Sequence, residues 1–244
     1  MRLKLLIEDV IKEEIKLSGY KEFYREPVIG YASAQDPGFD SLSDIIGYPH
    51  AKPSDILEGA QTVIVFFLPY SLELIKKMQG PKVIVPEWSI YYTKTNALLV
   101  KIASRLTERL SEIGIRSAGE PPTDNFDPVK LYAKWSNKSI AVMAGIGTFG
   151  LNHLLITKSG TAGRINTLVM DAYVDPTPKA EGPYCLYYKT GKCMACVRKC
   201  PSGALTENGY DRHRCNAYLD GKNTDLLEQG CCACSSGPCA SRGF

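Results

Sequence analysis

Residues 1–184 contain no cysteine, while the rest of the 244-residue chain holds nine, at 185, 193, 196, 200, 215, 231, 232, 234 and 239. The odd count argues against a disulfide framework, which joins thiols in pairs and needs an oxidising compartment, and in favour of metal ligation. No stretch is apolar for long enough to cross a bilayer: the longest, VIVFFL at 63–68, falls far short of the roughly 20 residues required. No run of five or more like charges occurs, and 29 Lys and Arg face 26 Asp and Glu. Composition therefore offers no electrostatic case for a membrane or nucleic-acid surface. Internal repeats and low-complexity tracts are also absent. The opening MRLKLLIEDVIKEEIKLSGY spaces Leu3, Leu6, Ile7, Val10, Ile11 and Ile15 helically between charges. It reads as an amphipathic helix and not a signal peptide, so a cytoplasmic protein is expected.

The cysteine-free part reads as mixed α and β. VIGYAS (28–33) and QTVIVFFLP (61–69) have strand character, with the turn-rich AQDPGFDSL between them. Leu98, Leu99, Ile102, Leu106, Leu110 and Ile113 recur every three or four residues and predict a long helix over 89–113. A loop is expected at AGEPPTDNFDP (118–128) and a second helix across KWSNKSIAVMAG. HLLIT and RINTLVMDAYV read as two strands joined by the turn KSGTAG, and DPTPKAEGP (175–183) as the linker into the cysteine module.

Thiolates select zinc, copper(I) or iron–sulfur clusters, so spacing must discriminate. Cys193-x2-Cys196-x3-Cys200-Pro201 is the latter part of the bacterial ferredoxin run, in which the cysteine before proline ligates the other cluster of a pair. Alternation assigns Cys185, Cys193, Cys196 and Cys239 to one [4Fe-4S] cluster and Cys200, Cys215, Cys231 and Cys234 to the other. Cys232 is then the spare and the rival of Cys185, which stands unusually far from Cys193. Lys192, Arg198 and Lys199 either offset the cluster charge or are solvated surface.

GIGTFG (145–150) fits G-x-G-x-x-G, with Asp171 about twenty residues on. The context is wrong for a dinucleotide, since helix precedes and strand follows where the fingerprint needs strand, turn, helix. Tight backbone packing is the favoured reading, with close approach of a large flat cofactor to Gly145, Gly147 and Gly150 as the alternative.

In their order, KPSDILEGAQTVIVFFLPY, MAGIGTFGLNHLLIT, TLVMDAYVDP, the C-x2-C-x3-C-P run, DRHRCNAYL and a second cysteine cluster resemble the epoxyqueuosine reductases over roughly residues 50–240. The resemblance, which extends to the related reductive dehalogenases, implies an α/β (α+β) architecture. A nitroreductase-like domain over 1–178 would hold a corrinoid (cobalamin), and a ferredoxin-like domain over 179–244 would hold two [4Fe-4S] clusters bound by the eight cysteines assigned above. It further implies an oxidoreductase passing single electrons from the clusters to cobalt, to reach the Co(I) state or to reduce a substrate. The expected partners are an electron-donor protein and, if the corrinoid is carried elsewhere, a corrinoid protein.

The chain also departs from that family. Leu131 and Tyr132 stand near the position where the family carries the acidic residue of V-D-S-A-P, and neither Asp124 nor Asp127 sits in that motif. Gly150, Leu151, Asn152 and His153 replace G-K-H-S. With no counterpart of the family's C-terminal helical repeats, tRNA modification is not expected. Tyr132 is the candidate proton donor, as a tyrosine is in the dehalogenases, with ordinary packing as the alternative. Asn152 and the KSGTAG turn are candidates to hydrogen-bond the corrinoid, the alternative for the turn being a plain hairpin. His153 is expected on a strand, and His50 and His213 carry no assigned role. Trp88, Tyr91 and Tyr92 either line a cavity or pack in the core. The competing function is an electron carrier without its own catalytic cofactor. An enzyme should have a sizeable, partly apolar cavity with one edge at the first cluster, and a carrier should place its clusters beside an exposed surface.

Overall fold

The computed structural model describes residues 2–80, 85–122, 126–220 and 231–244. Asp124 lies outside these residues. The apolar spacing of the N-terminus forms α1 (Arg2–Leu17), followed by β1 (Val28–Ser33), α2 (Gly38–Ile46), α3 (Pro53–Ile56), β2 (Thr62–Pro69) and α4 (Leu72–Met78). Next come the long α5 (Pro86–Ser111), β3 (Ser117–Ala118), β4 (Phe126–Asp127), β5 (Tyr132–Ala133), α6 (Asn137–Met143), β6 (Gly147–Phe149), β7 (Leu155–Thr157) and β8 (Gly163–Met170). The cysteine-rich tail adds α7 (Leu186–Thr190), α8 (Ala195–Lys199), β9 (Leu205–Thr206), β10 (Gly209–Tyr210) and α9 (Arg212–Asp220).

A four-stranded sheet in the order β1-β2-β8-β3, antiparallel at every pairing, organises the body. Every residue of β2 is buried because both faces are covered. Ile64, Phe66 and Leu68 point into a core shared with α1, α4 and α5, while Val63, Val65 and Phe67 point into a second core with Phe39 and Leu42 of α2 and Ile140 and Met143 of α6. A strand buried on both faces reads as a continuous apolar run, which is why VIVFFL shows no alternation. Complete burial of Phe66 or Leu68 contributes about 1.5–3 kcal/mol each.

Three readings of the sequence change. The expected turn region at 34–42 contains the start of helix α2: Asp36 Oδ1 accepts the Gly38 N–H at 2.8 Å, and Phe39 and Leu42 then bury one face. HLLIT and RINTLVM do form strands but not a hairpin together, since β7 pairs with β6 whereas β8 enters the sheet beside β2. His153 is not on a strand; it precedes β7 in a turn with φ 54, a left-handed conformation.

The KSGTAG turn holds the C-terminal tail against the body. Thr161 N–H and Ala162 N–H donate to the Cys239 and Ala240 carbonyls at 2.9 and 3.1 Å. Arg25 ties the same region together, donating to the carbonyls of Tyr70, Ser159 and Ser241. Ala240 and Cys232 accordingly join the core that contains α1 and α5. Trp88 and Tyr91 are packing residues: Trp88 meets Tyr70 edge-on at 5.5 Å, and Tyr91 stacks on Phe23 at 3.8 Å.

Candidate metal centres and adjoining cavity

Four thiols, from Cys185, Cys193, Cys196 and Cys239, line one small cavity closed by Leu151, Leu186, Ala195 and Pro238. Cys185 stands just before α7, Cys196 within α8 and Cys239 in a short 3-10 turn, Pro238–Ala240. Burial pushes the Cys239 thiol up to about 12, with Cys185, Cys196 and Cys193 adding to the shift. Burial likewise raises Cys196.

A second set forms around Cys234, which is pushed up to about 12 by burial and then by Cys231, Cys215 and Cys200. Burial also raises Cys231, and Cys215 and Cys200 act on it. Cys200 goes the other way. Burial opposes its ionisation, but Ser202 Oγ at 3.4 Å and the backbone N–H groups of Leu205, Ser202 and Ala204 outweigh it. Cys196 also acts on Cys234, so the two sets are electrostatic neighbours.

Cys185, unusually far from Cys193 in sequence, lies in the first group of thiols. Cys232 faces the apolar core instead, and burial pushes it up to about 11. Among the described residues no three His, Cys, Asp or Glu side chains converge on a single metal ion. Backbone N–H groups already point at sulfur, from Leu151 to Cys185 at 3.5 Å and from Ala233 to Cys231 at 3.4 Å. Four-thiol sets in an apolar setting with N–H donors suit iron–sulfur clusters.

Two cavities of about 610 and 390 Å³ share Tyr48, Phe126, Leu131, Ser136 and Lys138. Cys215 is part of the wall of the larger. The cavity therefore abuts the second thiol set, correcting the expectation of an edge at the first. Residues of α2, of the β4–β5 hairpin and of α9 line this larger cavity, and Cys215 is on α9. Tyr210, hydrogen-bonded to the Cys215 thiol, is raised by burial and then by that thiol, and its ring lies 5.6 Å from His153.

Tyr132 lines the smaller cavity, its ring stacked on Tyr48 at 4.3 Å. Lys138 has ample accessible surface yet is surrounded by protein, because that surface faces the cavity. Burial lowers its pKa, Cys234 opposes this, and Arg212 and Arg164 lower it further. His153 is lowered by burial and then by Lys138 and Arg212.

The glycine-rich turn does not present open backbone to a cofactor. A β-carbon on Gly145 would strike the Pro178 carbonyl, on Gly147 the Ile156 carbonyl, and on Gly150 the Asn152 and Ile156 side chains. Protein atoms fill the space these glycines leave. Asn152 is likewise committed: its Nδ2 donates to the Cys234 carbonyl at 3.0 Å and its Oδ1 accepts the Leu154 N–H at 3.2 Å. The KSGTAG turn binds the tail, as described above. His213 is exposed and does not line the cavity, and His50 is buried against Trp135.

Lys138, Arg164, Arg212, Tyr48 and Tyr210 are site residues that the sequence did not single out. Only Arg212, three residues before Cys215, had a nearby motif to mark it.

Fold and site together define a mixed α and β body carrying a module with two four-cysteine sets at the edge of a cavity. No family model matches the chain. It is similar to the epoxyqueuosine reductases of Aliivibrio fischeri, 24% identical over 75% of this chain and 47% of the relative, and of Escherichia coli, 27% identical over 71% and 44%. The chain spans about half the length of the curated relatives it matches. Its fold resembles the epoxyqueuosine reductase of Streptococcus thermophilus (TM-score 0.61, 22% identity, 93% of this chain and 65% of the other). An epoxyqueuosine reductase crystallised with a tRNA stem loop gives a TM-score of 0.59 at 17% identity, over 98% and 67%. A catabolic reductive dehalogenase gives 0.54 at 14%, over 84% and 28%. In sequence and in fold the chain is thus similar to the epoxyqueuosine reductases. Among the described residues no helix is long and apolar enough to cross a membrane.

Proposed function

We propose that the protein is an oxidoreductase that passes single electrons from two [4Fe-4S] clusters to a corrinoid seated in the cavity. Residues 1–178 form the corrinoid domain, and residues 179–244 the dicluster domain. One cluster takes Cys185, Cys193, Cys196 and Cys239, and the other takes Cys200, Cys215, Cys231 and Cys234. When bound, the clusters supply one-electron transfer and the corrinoid a reducible cobalt. The observation that carries the reading is Cys215, which belongs to a four-thiol set and also forms part of the cavity wall.

The chain's own residues hold and shield these groups. Leu151, Leu186 and Pro238 keep water from the first set, and the N–H groups of Leu151 and Ala233 stabilise thiolate sulfur. The stacked Tyr48 and Tyr132 form a flat wall against which a large ring system packs, and Tyr132 is the candidate proton donor at that wall. Electrons arrive from a donor protein. A second reading, reduction of a modified nucleoside in RNA, is favoured by the structural neighbour crystallised with a tRNA stem loop.

Anaerobic reconstitution should yield about eight iron atoms per chain. Titrating the reduced protein with cobalamin should then change the corrinoid's visible absorbance. One or two metal ions per chain, or an unchanged corrinoid spectrum, would overturn the cluster or the corrinoid assignment respectively.

A further inference from the structure

Among the described residues, side-chain hydroxyls bond thiols of the second set only. Ser202 Oγ accepts the Ala204 N–H at 3.2 Å, and its single proton is then free to point at Cys200 Sγ, 3.4 Å away. A metal-bound thiolate carries no proton, so in that bond the hydroxyl is the donor. The turn that aims it is fixed: Gly203 takes a left-handed φ of 63, and its N–H donates to the Cys200 carbonyl at 3.2 Å. Backbone N–H groups of Ala204 and Leu205 face the same sulfur.

Tyr210 supplies the second hydroxyl. It pairs with Leu205 in the β9–β10 hairpin, and the Asp211 N–H donates to the Ala204 carbonyl at 2.9 Å, which returns the chain to the Cys200 turn. Helix α9 opens there, the Cys215 N–H donating to the Asp211 carbonyl at 3.1 Å, so Cys215 stands one helical turn beyond Tyr210. The phenol bonds its thiol, and both residues line the larger cavity.

The first set is served differently. Leu151, Leu186, Ala195 and Pro238 close its cavity, and the polar Asn152 on the same wall is committed to the Cys234 carbonyl and the Leu154 N–H. Its donor from outside the cysteine-rich tail is a backbone group, the Leu151 N–H facing Cys185 at 3.5 Å.

Each electron taken up adds one negative charge to a cluster and its sulfurs. Donors to sulfur and polar surroundings stabilise that charge and raise the reduction potential, whereas apolar enclosure lowers it. Ser202, Tyr210 and the cavity beside Cys215 all act on the second set.

Resting on the reading of the two thiol sets as [4Fe-4S] clusters, we infer that the Ser202 and Tyr210 hydroxyls hold the second cluster at a higher reduction potential than the first, so that an electron entering the chain comes to rest beside the cavity. The transfer oxidises the first cluster by one electron and reduces the second by one. No bond forms or breaks, the hydroxyl protons stay on oxygen, and a one-electron donor protein replenishes the first cluster.

Titrating the anaerobically reconstituted full chain with dithionite at controlled potential, followed by electron paramagnetic resonance, should show two reduction steps. Ser202→Ala and Tyr210→Phe should each lower the higher step by about tenfold in equilibrium constant, about 59 mV for a one-electron couple, and leave the lower step in place. Ser202→Thr retains a hydroxyl and should keep the original value, which separates the hydrogen bond from the packing of the turn. Cys185→Ala, which breaks the first set, should lose the lower step and keep the higher. A higher step that disappears in Cys185→Ala, or that stays put in both Ser202→Ala and Tyr210→Phe, would overturn the inference while the clusters stand. Iron far below about eight atoms per chain would overturn the dicluster reading itself, and the inference with it.

Discussion

Asn152 Nδ2 donates to the carbonyl oxygen of Cys234 at 3.0 Å, joining the turn after β6 to the loop that carries a thiol of the second set. The amide is buried, and its Oδ1 also accepts the Leu154 N–H. Asn152→Leu leaves a carbonyl and an N–H unpaired inside the protein, at a cost of about 1–3 kcal/mol for each group that water does not reach. Thermal unfolding of the reconstituted protein should show the loss, and iron should be released faster to a chelator. An unchanged melting temperature and release rate would mean that the strut carries no load.

Cys185 and Cys232 separate by location. Cys185 lines the four-thiol cavity, whereas Cys232 packs into the core with α1 and α5. Cys185→Ala should therefore lower iron toward about half of the eight atoms expected for two cubanes. Cys232→Ala should keep the iron and lower stability by about 1 kcal/mol through lost packing. Iron analysis with electron paramagnetic resonance of the reduced proteins distinguishes the two. The opposite pattern would exchange their roles.

His50 makes stability depend on pH. Its Nε2 accepts the Ser136 N–H at 2.9 Å and its Nδ1 faces the Ala51 carbonyl at 2.7 Å, an arrangement that requires a neutral ring protonated at Nδ1. Burial lowers its pKa from 6.5, against the opposing pull of the Ala51 carbonyl. The unfolded chain thus binds the proton more readily than the folded one. The stabilisation is complete above the ordinary histidine value and is lost as pH falls from there through the depressed folded value. Denaturant titrations from neutral to acid pH should show this decline, and His50→Gln should flatten it. Parallel profiles for the two proteins would rule out His50 as the source.

Gly160 has φ +89, and a β-carbon there would meet the Ala240 backbone. Gly160→Ala should cost about 1–3 kcal/mol from the left-handed backbone alone. Because the neighbouring Thr161 and Ala162 bind Cys239 and Ala240, the loss should loosen the tail as well. Hydrogen exchange at the Thr161 and Ala162 amides should accelerate more than exchange within β2. Uniform acceleration would indicate general destabilisation only.

The local elements were largely legible. The spacing of Leu98, Leu99, Ile102, Leu106 and Leu110 announced α5, and the runs at 28–33 and 61–69 announced β1 and β2. The C-x2-C-x3-C-P spacing marked the cysteine-rich tail as the place to look for a metal centre. The GIGTFG turn was legible as close packing but misleading as a cofactor cradle, because Pro178 and Ile156 fill its gaps from outside the motif. Helix α2 was hidden by the Asp, Pro and Gly at its start, residues that also begin helices.

The cavity had no signature at all. Tyr48, Lys138, Arg164 and Arg212 come from four separate stretches, and nothing in the spacing of any one of them shows that the others are near. By itself the sequence determined the periodic elements and the thiol spacing, since both depend on neighbours a few residues apart. Only the tertiary structure decided that Cys215 borders a cavity, that Asn152 braces a cysteine loop and that three cations share one space. Those relationships arise where chain segments far apart in sequence pack together, and backbone spacing carries no record of them.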